Sequence, residues 1–312
     1  VPIPFRRRGS APQRVLVAAA DHAFEATARR VVRALHAGAS RRVDLDDPRA
    51  EVYRLFAAGG GEVTVSRLLA NLVQVGLSAA QASTGLVDPT VGAAVVAARV
   101  RTFAGRPTVG PGVVPACGSP DTHRPRPAPR YDRVAVRGNR IRAPQGTMLD
   151  LRATTDAVVA SAAATRAAGR TGTGVLVVVG GDVAQAGAPP PDGWWVRLPD
   201  GARFRLPAGL AASTVRPGDP PPHRVVVDPG TGAGVAPAWH GLTVLHRDVL
   251  AAKQLCLSAA VLGDGAVAFL RCEGVPFRLV GRGDAVTTSA GWPGTDIPEA
   301  HVPASGTYLL AG

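Results

Sequence analysis

The chain has 312 residues and a formal charge of +12, from 35 basic and 23 acidic side chains; every basic residue except Lys253 is arginine. At 46% hydrophobic and 19% charged it has the composition of a folded chain of one large or two intimately packed domains, which excludes general disorder. No run of 18 apolar residues predicts a membrane span, and the three cysteines, Cys117, Cys256 and Cys272, lack the CxxC spacing of a zinc site and the even number of a disulfide framework.

In chain order, the first strong signal is Ala23–His36. Phe24, Ala28, Val31, Val32 and Leu35 fall on one helical face there, and Gly38 is the expected stop. A second helix is predicted from Ser66, with Leu68, Leu69, Leu72, Val73 and Leu77 as its apolar stripe. The Pro-, Gly- and Arg-rich stretch 105–130 reads as a surface excursion or linker. Arg133–Val136 and Arg140–Arg142 flank Gly138-Asn139, a hairpin signal. Asp150–Ala168 is Ala-rich and helical, with Gly169 as its expected end.

Val175–Val179 reads as a strand buried on both faces, and Trp194–Leu198, Arg224–Val227 and Leu242–His246 as further strands. Helix Val249–Val261 is stopped by Gly263, and Val267–Cys272, Phe277–Val280 and Tyr308–Leu310 are late elements. Helices and strands mix without a regular βαβ beat, which gives α+β or an irregular α/β arrangement and excludes a barrel or a Rossmann sheet.

The positive charge invites a nucleic-acid reading. Eleven arginines face three acids between Arg99 and Arg152, but Tyr131 is the only aromatic near the densest part. Single-strand binders need aromatic platforms beside the charge, and no helix-turn-helix or finger pattern is present, so nucleic acid is not expected as a partner. The basic N-terminus is not followed by an apolar segment, which predicts a cytoplasmic protein; the absence of an initial Met leaves an upstream segment open.

Four local signatures carry the chemistry: Ser83–Gly92 (STGLVDPTVG), Leu149-Asp150-Leu151, Val179-Gly180-Gly181-Asp182, and Asp228-Pro229-Gly230-Thr231-Gly232. Most are turns that set a carboxylate beside glycines, where backbone N–H groups can approach a phosphate or flavin; the second is an acidic helix start. Each alone is also what a capped turn looks like.

In order and spacing the four together resemble the ApbE family, the FAD:protein FMN transferases, from about Arg14 to Pro293. The family's GxFDPTVG is matched by Gly85–Gly92 with Val87 at the usual Phe, and its DLGAIAKG is overlaid by Asp150–Ala157. Its GGD is matched by Gly180–Asp182 ahead of Gly187 and Trp194, and its DPxTG by Asp228–Gly232. The ADALST-bearing segment has the length of Thr243–Gly263, and Ala50–Leu55 sits where the family has SE-[IL]-S-R-L.

The resemblance implies an α+β mixed fold with a central cleft between two interleaved parts. It implies one domain over residues 14–293, with an arm at 1–13 and a terminal segment at 294–312. It also implies FAD as ligand, Mg²⁺ on its pyrophosphate, and transfer of FMN to a Thr or Ser of an acceptor flavoprotein. Leu86, Val87, Asp88, Asp150, Gly180, Gly181, Asp182, Asp228, Thr231 and Gly232 then take FAD-binding positions; no residue is assigned as catalytic.

The departures bear on activity. Asp156 stands at the family's AKG lysine and Ser161 at its later Asp. Ala211-Ala212-Ser213 replaces the TSG-like segment, and Val225 stands at the His ahead of DPxTG. The implied metal ligands are the carbonyl of Ala153 and two side chains that are here Lys253 and Leu257. An ammonium and a leucine cannot ligate Mg²⁺, so reduced or lost activity is expected, with a non-catalytic FAD- or nucleotide-binding or interaction protein as the alternative. Asp156 and Lys253 exchange the family's charges at two positions, which predicts a swapped ion pair with the ammonium in the metal's place, able to contact a diphosphate.

Overall fold

The structure is a computed structural model that describes residues 15–103, 127–128, 130–217, 225–294 and 307–309. The N-terminal arm and most of the 105–130 excursion lie outside the described residues. In chain order the main elements are β1 (Val15–Ala19), α1 (Glu25–Val43), α2 (Tyr53–Ala57), β2 (Glu62–Thr64), α3 (Arg67–Ala82) and α4 (Gly92–Phe103). The short strands β3 (Ala135–Arg137) and β4 (Arg140–Arg142) form the expected hairpin, and α5 (Arg152–Thr171) follows. Next come β5 (Val175–Val179), β6 (Asp182–Ala186), β7 (Trp194–Arg197), β8 (Arg203–Leu206), β9 (Ala211–Val215), β10 (Val227–Asp228), β11 (Ala233–Gly234) and β12 (Trp239–His246). Helices α6 (Val249–Leu262) and α7 (Ala266–Cys272) precede β13 (Phe277–Gly281), β14 (Val286–Thr288) and β15 (Thr307–Leu309).

The organising element is a seven-stranded sheet in the order β1-β5-β6-β9-β12-β13-β14, antiparallel at every pairing. β5 explains how it is covered. Successive side chains of a strand point to opposite faces. Val175, Val177 and Val179 enter a core with α1 and α5, while Leu176 and Val178 enter one with Trp194, Phe204 and Leu206 of β7 and β8. A strand apolar on both sides is what two covered faces require. The second, three-stranded sheet β15-β7-β8 therefore roofs one face, and α5 and α6 lie on the other.

Several predicted boundaries move. α1 runs through Gly38 to Val43, because Ala39 and Val43 are buried and continue the apolar stripe. α5 likewise passes Gly169 and ends at Gly172, whose φ of 69° is the left-handed cap and whose N–H reaches the Ala168 carbonyl. The strand expected over Arg224–Val227 shrinks to β10, with Arg224 outside the described residues. α3 starts at the expected place, and Ser66 caps it, its Oγ accepting from Leu69 N–H at 3.2 Å.

The helical run Val249–Cys272 is long and apolar enough to cross a membrane, with a mean hydropathy of 1.6. It is broken at Gly263–Gly265, and α6 packs across β9 and β12, which is the placement of a core helix.

Gly181 in the β5–β6 turn has no room for a side chain: a Cβ there would sit inside the van der Waals shell of the Thr214 carbonyl oxygen. Gly181→Ala is expected to cost at least about 2 kcal/mol of stability, since backbone cannot yield as a flexible side chain can. Urea unfolding of the two proteins checks this.

Candidate active site

The first two signatures are zipped together by backbone. Asp150 N–H donates to the Pro89 carbonyl at 2.7 Å and Gly92 N–H to the Met148 carbonyl at 3.0 Å. A Cβ at Gly92 would collide with Met148, so this close approach needs the glycine. Asp88, 6% exposed, caps the turn before α4: its Oδ1 accepts from Thr90 N–H and Oγ1, and its Oδ2 from Tyr131 N–H at 3.0 Å. Val87 is buried, with its N–H on Ser83 Oγ, and Leu86 is half-buried. The DPGTG turn joins this group through α4, whose Val95 and Ala98 pack on Val227. Asp228 accepts there from Gly230 N–H and Thr231 Oγ1, and Gly232 N–H returns to the Asp228 carbonyl.

Asp150 meets a partner that sequence reasoning passed over. Arg152, two residues on at the start of α5, grips it with both ends of the guanidinium, Nε–Oδ1 at 3.0 Å and Nη2–Oδ2 at 2.8 Å. Burial works against the Arg152 charge, but Asp150, Asp46 and Asp44 outweigh it and hold its pKa above the ordinary arginine value. The signal was present as an Asp-x-Arg at a helix start, where an i, i+2 fork can form.

The GGD turn leads to a buried ion pair. Asp182 opens β6 at 0% exposure, and its Oδ1 accepts from Ser213 Oγ of the adjoining β9 at 2.6 Å. Its Oδ2 has no hydrogen-bond partner but lies 3.4 Å from Nζ of Lys253, on the second turn of α6. The Lys253 side chain is 13% exposed. Burial opposes its charge, yet Asp182 and then Asp156 on α5 overcome that penalty and raise its pKa above that of a free lysine. Burial pushes the Asp182 carboxyl up, against the pull of Lys253 and the Ser213 hydroxyl. Lys253 thus contacts Asp182, where the sequence pointed to Asp156 as its partner, and Asp156 acts on its charge through space.

Cys256, one turn after Lys253, closes the group. Its Sγ donates to the Ser213 carbonyl at 3.1 Å, and burial pushes its pKa up to about 12. A thiol held protonated in the core is inert.

The residues present do not fit a divalent ion. Mg²⁺ demands several oxygen ligands in near-octahedral array. Leu257 packs into the apolar cluster of α6, β12 and β13, Lys253 brings a positive charge, and Ala153 sits inside α5, where its carbonyl is an acceptor for the helix's own ladder. No group of three or more His, Cys, Asp or Glu side chains converges on a metal-sized point among the described residues. Two open cavities of about 480 and 410 Å³ are lined by Gly59, Arg133 and Arg142, and by Gly193, Arg205 and Pro293. Neither includes a signature residue.

Removing Lys253 strands the Asp182 charge in the interior, which in comparable pairs costs about 3–5 kcal/mol. Lys253→Met is expected to lose that much by urea unfolding at neutral pH. A pKa raised in the folded state gives stability that is present below the free lysine value of 10.5 and lost as pH climbs through the folded value. The difference between wild type and Lys253→Met should therefore shrink in strong alkali, and also in acid, where Asp182 takes up a proton and no charge is left stranded. Of the two described cysteines, the exposed Cys272 should react with an aromatic disulfide reagent in the native state, and Cys256 only after denaturation.

Comparison with known proteins places this geometry. A search of curated proteins returns no match. Among solved structures, the fold is similar to the apo form of the flavinyl transferase ApbE of Pseudomonas stutzeri, at TM-score 0.68 and 17% identity over 91% of this chain and 98% of that one. It is also similar to the flavin transferase ApbE of Vibrio cholerae (TM-score 0.64, 18% identity, 86% and 89% coverage) and to the ApbE protein of Thermotoga maritima (0.65, 19%, 85% and 90%). The ApbE family model matches residues 13–277, most of the chain, and the protein belongs to that family.

Proposed function

We propose that the protein is a flavin-transferase-type protein that keeps FAD as its ligand and has reduced or lost the Mg²⁺-dependent transfer of FMN to a Thr or Ser of an acceptor flavoprotein. Family membership and the shape of the four signature turns support the flavin half of the reading. FAD would lie along Leu86–Asp88, Asp150, Gly180–Asp182 and the Asp228–Gly232 turn. With Asp88 and Asp228 engaged in their own turns and Asp150 held by Arg152, contacts to the ligand fall mainly to backbone groups and to the turns' shape.

One observation carries the loss of transfer: the Lys253–Asp182 pair. Phosphoryl transfer is driven mainly by cations that neutralise charge on the phosphates and the leaving group. Mg²⁺ would have supplied that charge, and the side chains at the implied metal positions offer it no oxygen. Lys253 does not replace it, because its charge is already matched by Asp182 and Asp156.

The test combines a FAD titration by flavin fluorescence with mass measurement of an FMN-acceptor domain incubated with the protein, FAD and Mg²⁺. Saturable FAD binding, unchanged by EDTA, with no FMN adduct on the acceptor is the expected outcome. An adduct formed at a multiple-turnover rate would overturn the loss of transfer, and absence of FAD binding would overturn the flavin reading itself.

A further inference from the structure

The larger of the two cavities, about 480 Å³, lies against the small sheet β2-β4-β3 and is lined by Gly59, Gly60, Arg133, Ala135, Arg142 and Gln145, among others. Strand alternation builds its wall. Ile141 is fully buried, so Arg140 and Arg142 on either side of it point outward, as do Ala135 and Arg137 on β3. Ala135 stands opposite Arg142 in the ladder and offers only a methyl group, which leaves the space above it open. Glu62 stands on the other side of Arg142 but pairs with Arg140, at 3.4 Å. Arg142 sends its Nε to the Gly60 carbonyl at 3.0 Å, and its two terminal nitrogens have no partner among the described residues. Arg133 and Arg137 have no ion pair among the described residues, since Asp132 turns to Arg130 at 3.3 Å. Among the described residues that line the cavity there is no acid.

We propose that this cavity is an anion site for a small molecule bearing two or more phosphate groups, separate from the flavin turns. Its volume is that of a small-ligand pocket. The guanidinium fork pairs with phosphate oxygens two at a time, and Arg142 is already held by one nitrogen, so it loses less freedom on binding. Three uncompensated guanidiniums favour a multiply charged anion over a single carboxylate, and the Gln145 amide adds a neutral donor. The arginines ride on strands that Val134 and Ile141 anchor in the core, which fixes their spacing. At the signature turns Arg152 and Lys253 are committed to acids, whereas these guanidiniums are not. The site does not depend on flavin binding.

Calorimetric titration of the full chain with inorganic pyrophosphate, in metal-free buffer of low ionic strength, tests it. Saturable binding at one site is expected, weakened by about 0.3 M NaCl because these charges are exposed to screening. Arg133→Gln with Arg142→Gln should lose about tenfold or more in affinity, as expected when charge-assisted hydrogen bonds are removed. Its Tm should stay within about 3 °C of wild type, since both side chains are exposed. Arg166→Gln with Arg170→Gln removes the same charge from exposed positions on α5 outside the cavity and should keep the wild-type affinity. Succinate, with two carboxylates and less charge, should bind more weakly than pyrophosphate. FAD at about tenfold over its own Kd should not displace pyrophosphate. Absence of saturable binding, equal losses in the two double variants, succinate bound as tightly as pyrophosphate, or displacement by FAD would each overturn it. Pyrophosphate binding without FAD binding would overturn the flavin reading and leave this one standing.

Discussion

A carboxylate with no exposure to water is the constraint around which this site is built. Asp182 sits at the start of β6, beneath the turn that Gly180 and Gly181 make. A charge in that position needs a positive partner and hydrogen bonds, or it takes up a proton. Ser213 supplies the hydrogen bond from β9, and Lys253 the charge from α6. The strand that bears Asp182, the strand beside it and the helix above them are thus fixed to one another by one polar cluster. Cys256 adds a bond from α6 to the β9 backbone. The apolar packing of α6 on β9 and β12 would tolerate some sliding; separating a buried ion pair costs far more.

Much of this was legible in the sequence, and the failures have physical reasons. The run VLVVV announced a strand covered on both faces, and β5 is one. Gly263 marked the end of α6. Gly38 and Gly169 misled, because glycine ends a helix only when the chain needs the left-handed conformation there; buried residues beyond both carried the helices on. The resemblance brought Lys253 and Asp156 forward, but it could not choose between Asp156 and Asp182 as the contact. That choice depends on which strand end lies under the second turn of α6, a long-range register that no local pattern encodes. Arg152 escaped notice because its role depends on the same kind of information: Asp44 and Asp46 reach it from the segment after α1.

The charge of the whole chain and the charge of its signatures point in opposite directions. The chain as a whole carries +12, whereas each of two signature regions sets one cation among several acids: Arg152 among Asp150, Asp46 and Asp44, and Lys253 with Asp182 and Asp156. A diphosphate brought to these turns would find both cations already committed. Net charge is therefore a poor guide to what the protein binds, and the arginine excess gives no warrant for a phosphate site near Lys253.

The two altered positions are better explained together than separately. An apolar residue at position 253 would leave Asp182 without its cation in the interior and drive its carboxyl to protonate. Asp156 adds a second negative charge within electrostatic reach of the same position. Lysine at 253 resolves both at once: its stem reaches Asp182 from α6, and its ammonium lies within electrostatic reach of α5. The balance is kept by the only lysine in the chain, so the joint of α6, β6 and β9 depends on that one cation for a satisfied interior.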